Sequence, residues 1–102
     1  MVVKCLTCSQ ATDQLRQCLS VGKVILGKHF REELANEGLQ ILDAYHVLQR
    51  GRVFQQPEQD IRTGEWKYRM EGTAPEGESL AIVFCFRDEN TGFLITIFSI
   101  RR

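Results

Sequence analysis

The chain predicts an α+β fold: N-terminal helices packed on one face of a four-stranded antiparallel β-meander, in a single domain over residues 1–102. Three observations predict it. Residues 28–50 hold two short segments with apolar residues at helical spacing, each followed by a glycine. The stretch "EWKYRMEG" alternates apolar and polar without a break. Finally, "SLAIVFCF" and "FLITIFSI" are apolar on both faces and are separated only by residues that favour a turn.

A first helix is expected over about Ser9 to Leu19, where Leu15, Cys18 and Leu19 recur at helical spacing. Ser9 or Thr12 is the expected N-cap and Gly22 the stop. "KVIL" reads as an extended connector. A second helix runs from Lys28 to Asn36, with Phe30 and Leu34 stacked one turn apart and Gly38 as its closing residue. A third, Leu39 to Arg50, places Ile41, Leu42, Tyr45 and Leu48 on one stripe and ends at Gly51. None of these helices is long enough to persist alone, so each needs a surface to pack on.

That surface is the second half. "RVFQQ" is a short strand. In "EWKYRMEG", Trp66, Tyr68 and Met70 share one face, and Lys67, Arg69 and Glu71 share the other. "APEGES" is a turn, "SLAIVFCF" a central strand, and "DENTG" a hairpin tip before the antiparallel return of "FLITIFSI". Hairpin adjacency sets the strand order to follow the sequence. Leu34, Leu42, Leu48, Ile82, Phe84, Ile95 and Ile97 are the expected core.

Composition bounds the function. The 13 basic and 13 acidic residues cancel, so no global field steers the 102-residue chain to nucleic acid or membrane; an anion site must arise from local placement. No apolar run approaches the ~20 residues of a membrane span. The N-terminus lacks the apolar length of a signal peptide, which predicts a cytoplasmic protein. "CLTC" has the spacing of a zinc knuckle or redox pair, but no second close pair of ligands accompanies Cys5 and Cys8 and no βαβ context follows. With Cys18 and Cys85 these residues predict small, partly buried thiols, and no metal or cofactor is expected. The serines lack a nucleophile-elbow context, and no phosphate-binding glycine loop occurs. His29 and His46, at the start of and within helices, read as surface or packing residues.

The most suggestive feature is basic and lies in the strands. Lys67 and Arg69 share a face about 7 Å apart. Arg62 lies upstream, Arg87 ends the central strand, and Arg101 and Arg102 end the last. Cations on neighbouring strands can converge on a phosphodiester backbone while Tyr68 or Trp66 stacks a base, which makes RNA the candidate partner. The competing expectation is a solvated face on which Glu65, Glu71, Asp88 and Glu89 neutralise the same arginines.

The segment "KHFREELANEGLQILDAYHVLQRGRVFQQ" with "KYRMEG" and "LAIVFCF…GFLITIFS" resembles the family of small bacterial proteins called domain of unknown function 4258. The matching residues are His29, Leu34, Gly38, Leu39, Val47, Leu48, Gly51 and Val53, then Ile95, Thr96, Ile97 and Phe98. That family is similar to RelE and MqsR type toxins, metal-independent ribonucleases of compact α+β fold, often encoded beside a zinc-finger antitoxin. The resemblance implies phosphate clamping by Arg69 and Arg87, proton transfer by Lys67 or His29, and RNA contacts by Arg62, Tyr68 and Arg101. It also implies a zinc-finger-type antitoxin as partner and leaves the oligomeric state open. Glu33 and Glu37 stand where the family tends to carry arginine, which removes positive charge. The alternative function is a non-catalytic protein-interaction module using the same sheet or its edge strand.

Overall fold

A computed structural model describes residues 5–100. Its elements are α1 (Cys8–Val21), β1 (Lys23–Leu26), α2 (Lys28–Asn36), α3 (Ile41–Arg50), β2 (Arg52–Val53), β3 (Glu58–Gln59), β4 (Trp66–Thr73), β5 (Ser79–Asp88) and β6 (Thr91–Ser99). The fold is α+β, with three helices and an open sheet of six strands among the described residues. The sheet corrects the expectation of four antiparallel strands: its order is β1-β6-β5-β4-β2, with β3 also on β4, and β1 runs parallel to β6. "KVIL" is therefore a strand rather than a connector. Its Lys23 to Leu26 register against Thr91 to Leu94.

The helix starts follow side-chain chemistry. Thr7, rather than Ser9 or Thr12, caps α1: its hydroxyl accepts the Gln10 N–H while Gln10 returns a bond to the Thr7 N–H. Thr12 is instead buried, donating to the Cys8 carbonyl and accepting the Val53 N–H, and so ties α1 to β2. After α2, Gly38 takes the left-handed φ of 69° that closes a helix. Gly51 does not; its φ is −78°, and its role is close approach.

Tyr68, Met70, Leu80, Ile82, Phe84, Leu94 and Ile97 form the inner layer of the sheet, facing Leu15, Phe30, Val47 and Leu48 of the helices. Leu34 is half-buried against this core, whereas Ile95, also expected there, sits at the register shift between Leu94 and Thr96 and does not join it. Leu42 is 69% exposed, against expectation. The buried stripe of α3 runs through Ala44, Val47 and Leu48, which puts position 42 about 160° round the helix from its centre.

The β6 edge is covered in two stages. β1 pairs as far as Leu94, whose carbonyl then accepts the Gly27 N–H at 3.0 Å. From there α2 runs alongside; its length of about 13 Å matches that of residues 95–99 in extended chain. Phe30 anchors it, fully buried, a contribution of about 1.5–3 kcal/mol. Glu37 Oε1 accepts the Ser99 N–H at 2.9 Å where the helix gives out. No helix among the described residues is long and apolar enough to cross a membrane.

Candidate functional site: the open face of the sheet

The helices leave the other face of β4, β5 and β6 to solvent. Arg69 registers with Val83 and Tyr68 with Phe84, so continuing the antiparallel ladder sets Lys67 opposite Cys85 and Glu65 opposite Arg87. On β6 the same face carries Phe93, opposite Cys85, and Phe98, opposite Ala81. Lys67 and Arg69 thus share one face, as the strand alternation predicts, and the register of β5 brings Arg87 to the same face.

Each of these cations meets a carboxylate. Lys67 Nζ lies 3.0 Å from Asp60 Oδ2. Arg87 bonds Glu65 across the strands. Arg69 Nε lies 3.1 Å from Glu71 Oε2, an ion contact misaligned for a hydrogen bond, which leaves Nε without one. Both guanidinium groups also lie over rings, Arg87 at 4.2 Å from the Phe93 centroid and Arg69 at 5.1 Å from that of Phe98. These long side chains cover the face closely enough to bury Ala81 and Cys85, although both point outward. Burial, and then the Glu65 charge, push the Cys85 thiol up to about 11, so it is neutral and no nucleophile at physiological pH. The Lys67 hydrogen bond, then the Thr63 and Arg62 backbone N–H groups, bring the half-buried Asp60 carboxyl down to about 2.

The remaining predicted residues lie elsewhere. Tyr68 is buried. Its ring packs 5.5 Å from Phe84 and 5.6 Å from Phe86, and its hydroxyl accepts the Leu6 N–H at 2.9 Å. It therefore has no free face for a base. Arg62 is exposed in the turn between β3 and β4, its backbone N–H held by Asp60 Oδ1 at 2.9 Å. His29 is exposed in the first turn of α2, beyond β6, and β6 is two strand spacings or about 10 Å from the strand of Lys67. Arg101 lies outside the described residues. The bland expectation holds for the Glu65 and Glu71 pairs, whereas Asp60 as the partner of Lys67 was not foreseen. Nor were the face's aromatic residues, Phe93 and Phe98: in a strand apolar on both sides, only register tells outward rings from core. All four cysteines are free, and among the described residues no three His, Cys, Asp or Glu side chains gather as metal ligands.

Residues 26–99, from the end of β1 to the end of β6, match one family model, described as Domain of unknown function (DUF4258). No curated protein and no solved structure matches the chain. The family match spans well over half of the 102 residues, and the chain belongs to the DUF4258 family.

Proposed function

We propose that this protein acts on RNA through the open face of its sheet, as a RelE-like, metal-independent endoribonuclease toxin or a degenerate relative of one. The observation that carries this reading is the shared face of Lys67, Arg69 and Arg87, with Arg69 over the Phe98 ring and Arg87 over that of Phe93. Metal-free cleavage needs a proton acceptor for the 2′-hydroxyl, a donor for the leaving 5′-oxygen, and cations for the phosphorane charge. Arg69 and Arg87 fit the last role. Lys67, held by Asp60, fits proton donation better than proton acceptance. The three ion pairs are only partly exposed, and an incoming phosphodiester must displace them to reach the cations. A zinc-finger-type antitoxin is the proposed protein partner, and the cytoplasm the proposed compartment.

The neutrality of that face favours a second reading, a non-catalytic protein-interaction module, because three cations against three carboxylates leave no net charge to draw RNA. Incubating the purified protein with end-labelled RNA in a metal chelator separates the two. The first reading expects fragments ending in a cyclic or 3′-phosphate, lost in Lys67→Ala/Arg69→Ala. Cleavage retained by that double variant removes both residues from the site. Intact RNA, together with unimpaired growth of a bacterium expressing the soluble protein at high level, leaves the interaction module.

A further inference from the structure

Beside the C-terminus of α3 lies a cleft of about 440 Å³, bordered by His46, Arg50, Arg52, Phe54, Glu71 and Thr73. Its charge is unlike that of the sheet face. Among the described residues neither Arg50 nor Arg52 has a carboxylate within ion-pair distance. Outside the cleft, Arg16 of α1 donates to the carbonyl of Gly51, the residue between the two arginines. The one carboxylate on the rim, Glu71, is engaged by Arg69. A chain of zero net charge thus keeps a local surplus of positive charge at this junction.

Two further groups sit beside the arginines. Phe54 is 66% exposed, a large ring presented to solvent directly after β2. His46 Nδ1 lies 2.8 Å from the Thr73 carbonyl oxygen. A carbonyl can only accept, so Nδ1 carries the hydrogen, and Nε2 is the nitrogen left to accept when the ring carries a single hydrogen. An exposed ring, two unpaired guanidinium groups and an imidazole acceptor are the groups that single-stranded nucleic acid requires: stacking for the base, cations for the phosphate, an acceptor for the ribose hydroxyl.

We propose that this cleft binds single-stranded RNA, with a base stacked on Phe54, the adjoining phosphodiester held by Arg50 and Arg52, and the 2′-hydroxyl donating to His46 Nε2. The choice of RNA rests on the reading above; the place does not. The sheet face acts on the strand, and the cleft holds it.

Fluorescence anisotropy with a short labelled single-stranded RNA and its DNA counterpart, over a series of salt concentrations, tests this. Phe54→Ala is expected to weaken RNA binding roughly 5- to 150-fold, the range for one lost base stack. Arg50→Gln/Arg52→Gln is expected to flatten the slope of log affinity against log salt by about 0.7, one neutralised phosphate's worth on a single strand. His46→Ala should weaken RNA and leave DNA unchanged. Lys67→Ala/Arg69→Ala should keep most of the affinity even where it abolishes cleavage. Cleft variants that bind as the wild type does, while the sheet-face variant loses binding, overturn the cleft and leave the sheet-face reading standing. RNA binding that survives in the sheet-face variant and fails in the cleft variants, with no cleavage by any protein, supports the cleft and overturns the nuclease. A wild-type protein that binds no RNA overturns both. Equal loss of RNA and DNA in His46→Ala overturns the hydroxyl contact.

Discussion

Gly51→Ala isolates the close approach that builds the α3–β4 junction and the floor of the cleft. A Cβ on Gly51 would stand 2.5 Å from the Glu71 carbonyl oxygen and 2.7 Å from that of Val47. Both are backbone atoms, one on β4 and one in the last turn of α3, so neither can swing aside as a side chain could. The dihedrals, φ −78° and ψ −177°, are ordinary for alanine, so backbone strain is not the cause of the loss. Alanine even gains about 0.4–1 kcal/mol by restricting the unfolded chain. Against that stands an overpacking cost of about 1–3 kcal/mol for atoms forced into a filled site. The helix end, Arg52 and Val53 must shift together, and Gly72, whose own Cβ would meet the Gly51 Cα at 3.1 Å, closes the way out. The net expectation is a loss of about 1–2 kcal/mol, or roughly 5–15 °C in Tm for a domain of this size. Urea unfolding followed by far-ultraviolet circular dichroism measures it. Gly38→Ala is the informative companion: nothing lies within 4 Å of its Cβ, and its cost comes from the left-handed φ of 69° alone. Asparagine tolerates that φ, so Gly38→Asn should recover stability where Gly51→Asn does not. A Gly51→Ala protein as stable as the wild type would refute the packing argument.

Two other perturbations follow from single contacts. Tyr68→Phe keeps the ring among Phe84 and Phe86 but leaves the Leu6 N–H without its acceptor, and should cost about 1 kcal/mol in urea unfolding; an unchanged midpoint would show that residues 5–7 are not held through this bond. Asp60 has a folded pKa of about 2 against an ordinary 3.8, so the unfolded chain takes up its proton first as pH falls. Its stabilising contribution is therefore complete above about pH 4 and disappears towards pH 2. The advantage of wild type over Asp60→Asn should fade across that window, and a constant difference through it would contradict the Lys67 and backbone contacts as the cause.

What was legible in the sequence was what local chemistry decides. The alternation of "EWKYRMEG" placed Tyr68 and Met70 inside and Lys67, Arg69 and Glu71 outside, because a strand has a period of two. The "DENTG" tip forms where Asp88 Oδ1 accepts the Asn90 N–H, a bond within the turn itself. What was illegible was pairing at long range. "KVIL" is too short and uniform to announce a parallel partner at the other end of the chain, and β3 is two polar residues made strand only by the ladder of β4. The same limit hid the cleft. Arg50 and Arg52 read as a helix-end charge and a strand charge, and His46 as one more helical position, until Thr73 arrives across the fold to set its tautomer.

Glu37 shows how a charge can be misread without its neighbours. In sequence it is a lost arginine and so a loss of affinity for RNA. In the fold its carboxylate takes the Ser99 N–H on the β6 edge, at the point where β1 has ended and α2 is about to leave the strand. An arginine there has no acceptor to offer that N–H. The substitution therefore bears on edge protection before it bears on ligand charge, and it narrows the protein-interaction reading too. With β6 covered by β1 and α2, and β4 flanked by the two-residue strands β2 and β3, the described strand edge long enough for strand addition is the outer side of β1, Lys23–Leu26. A partner that adds a strand must join there, beside Val24 and Ile25, on the edge of the sheet opposite to Lys67 and two strands away from Arg87. Binding by that route would survive Lys67→Ala/Arg69→Ala untouched and fail in a proline substitution at Ile25, whereas RNA bound at the sheet face would show the reverse.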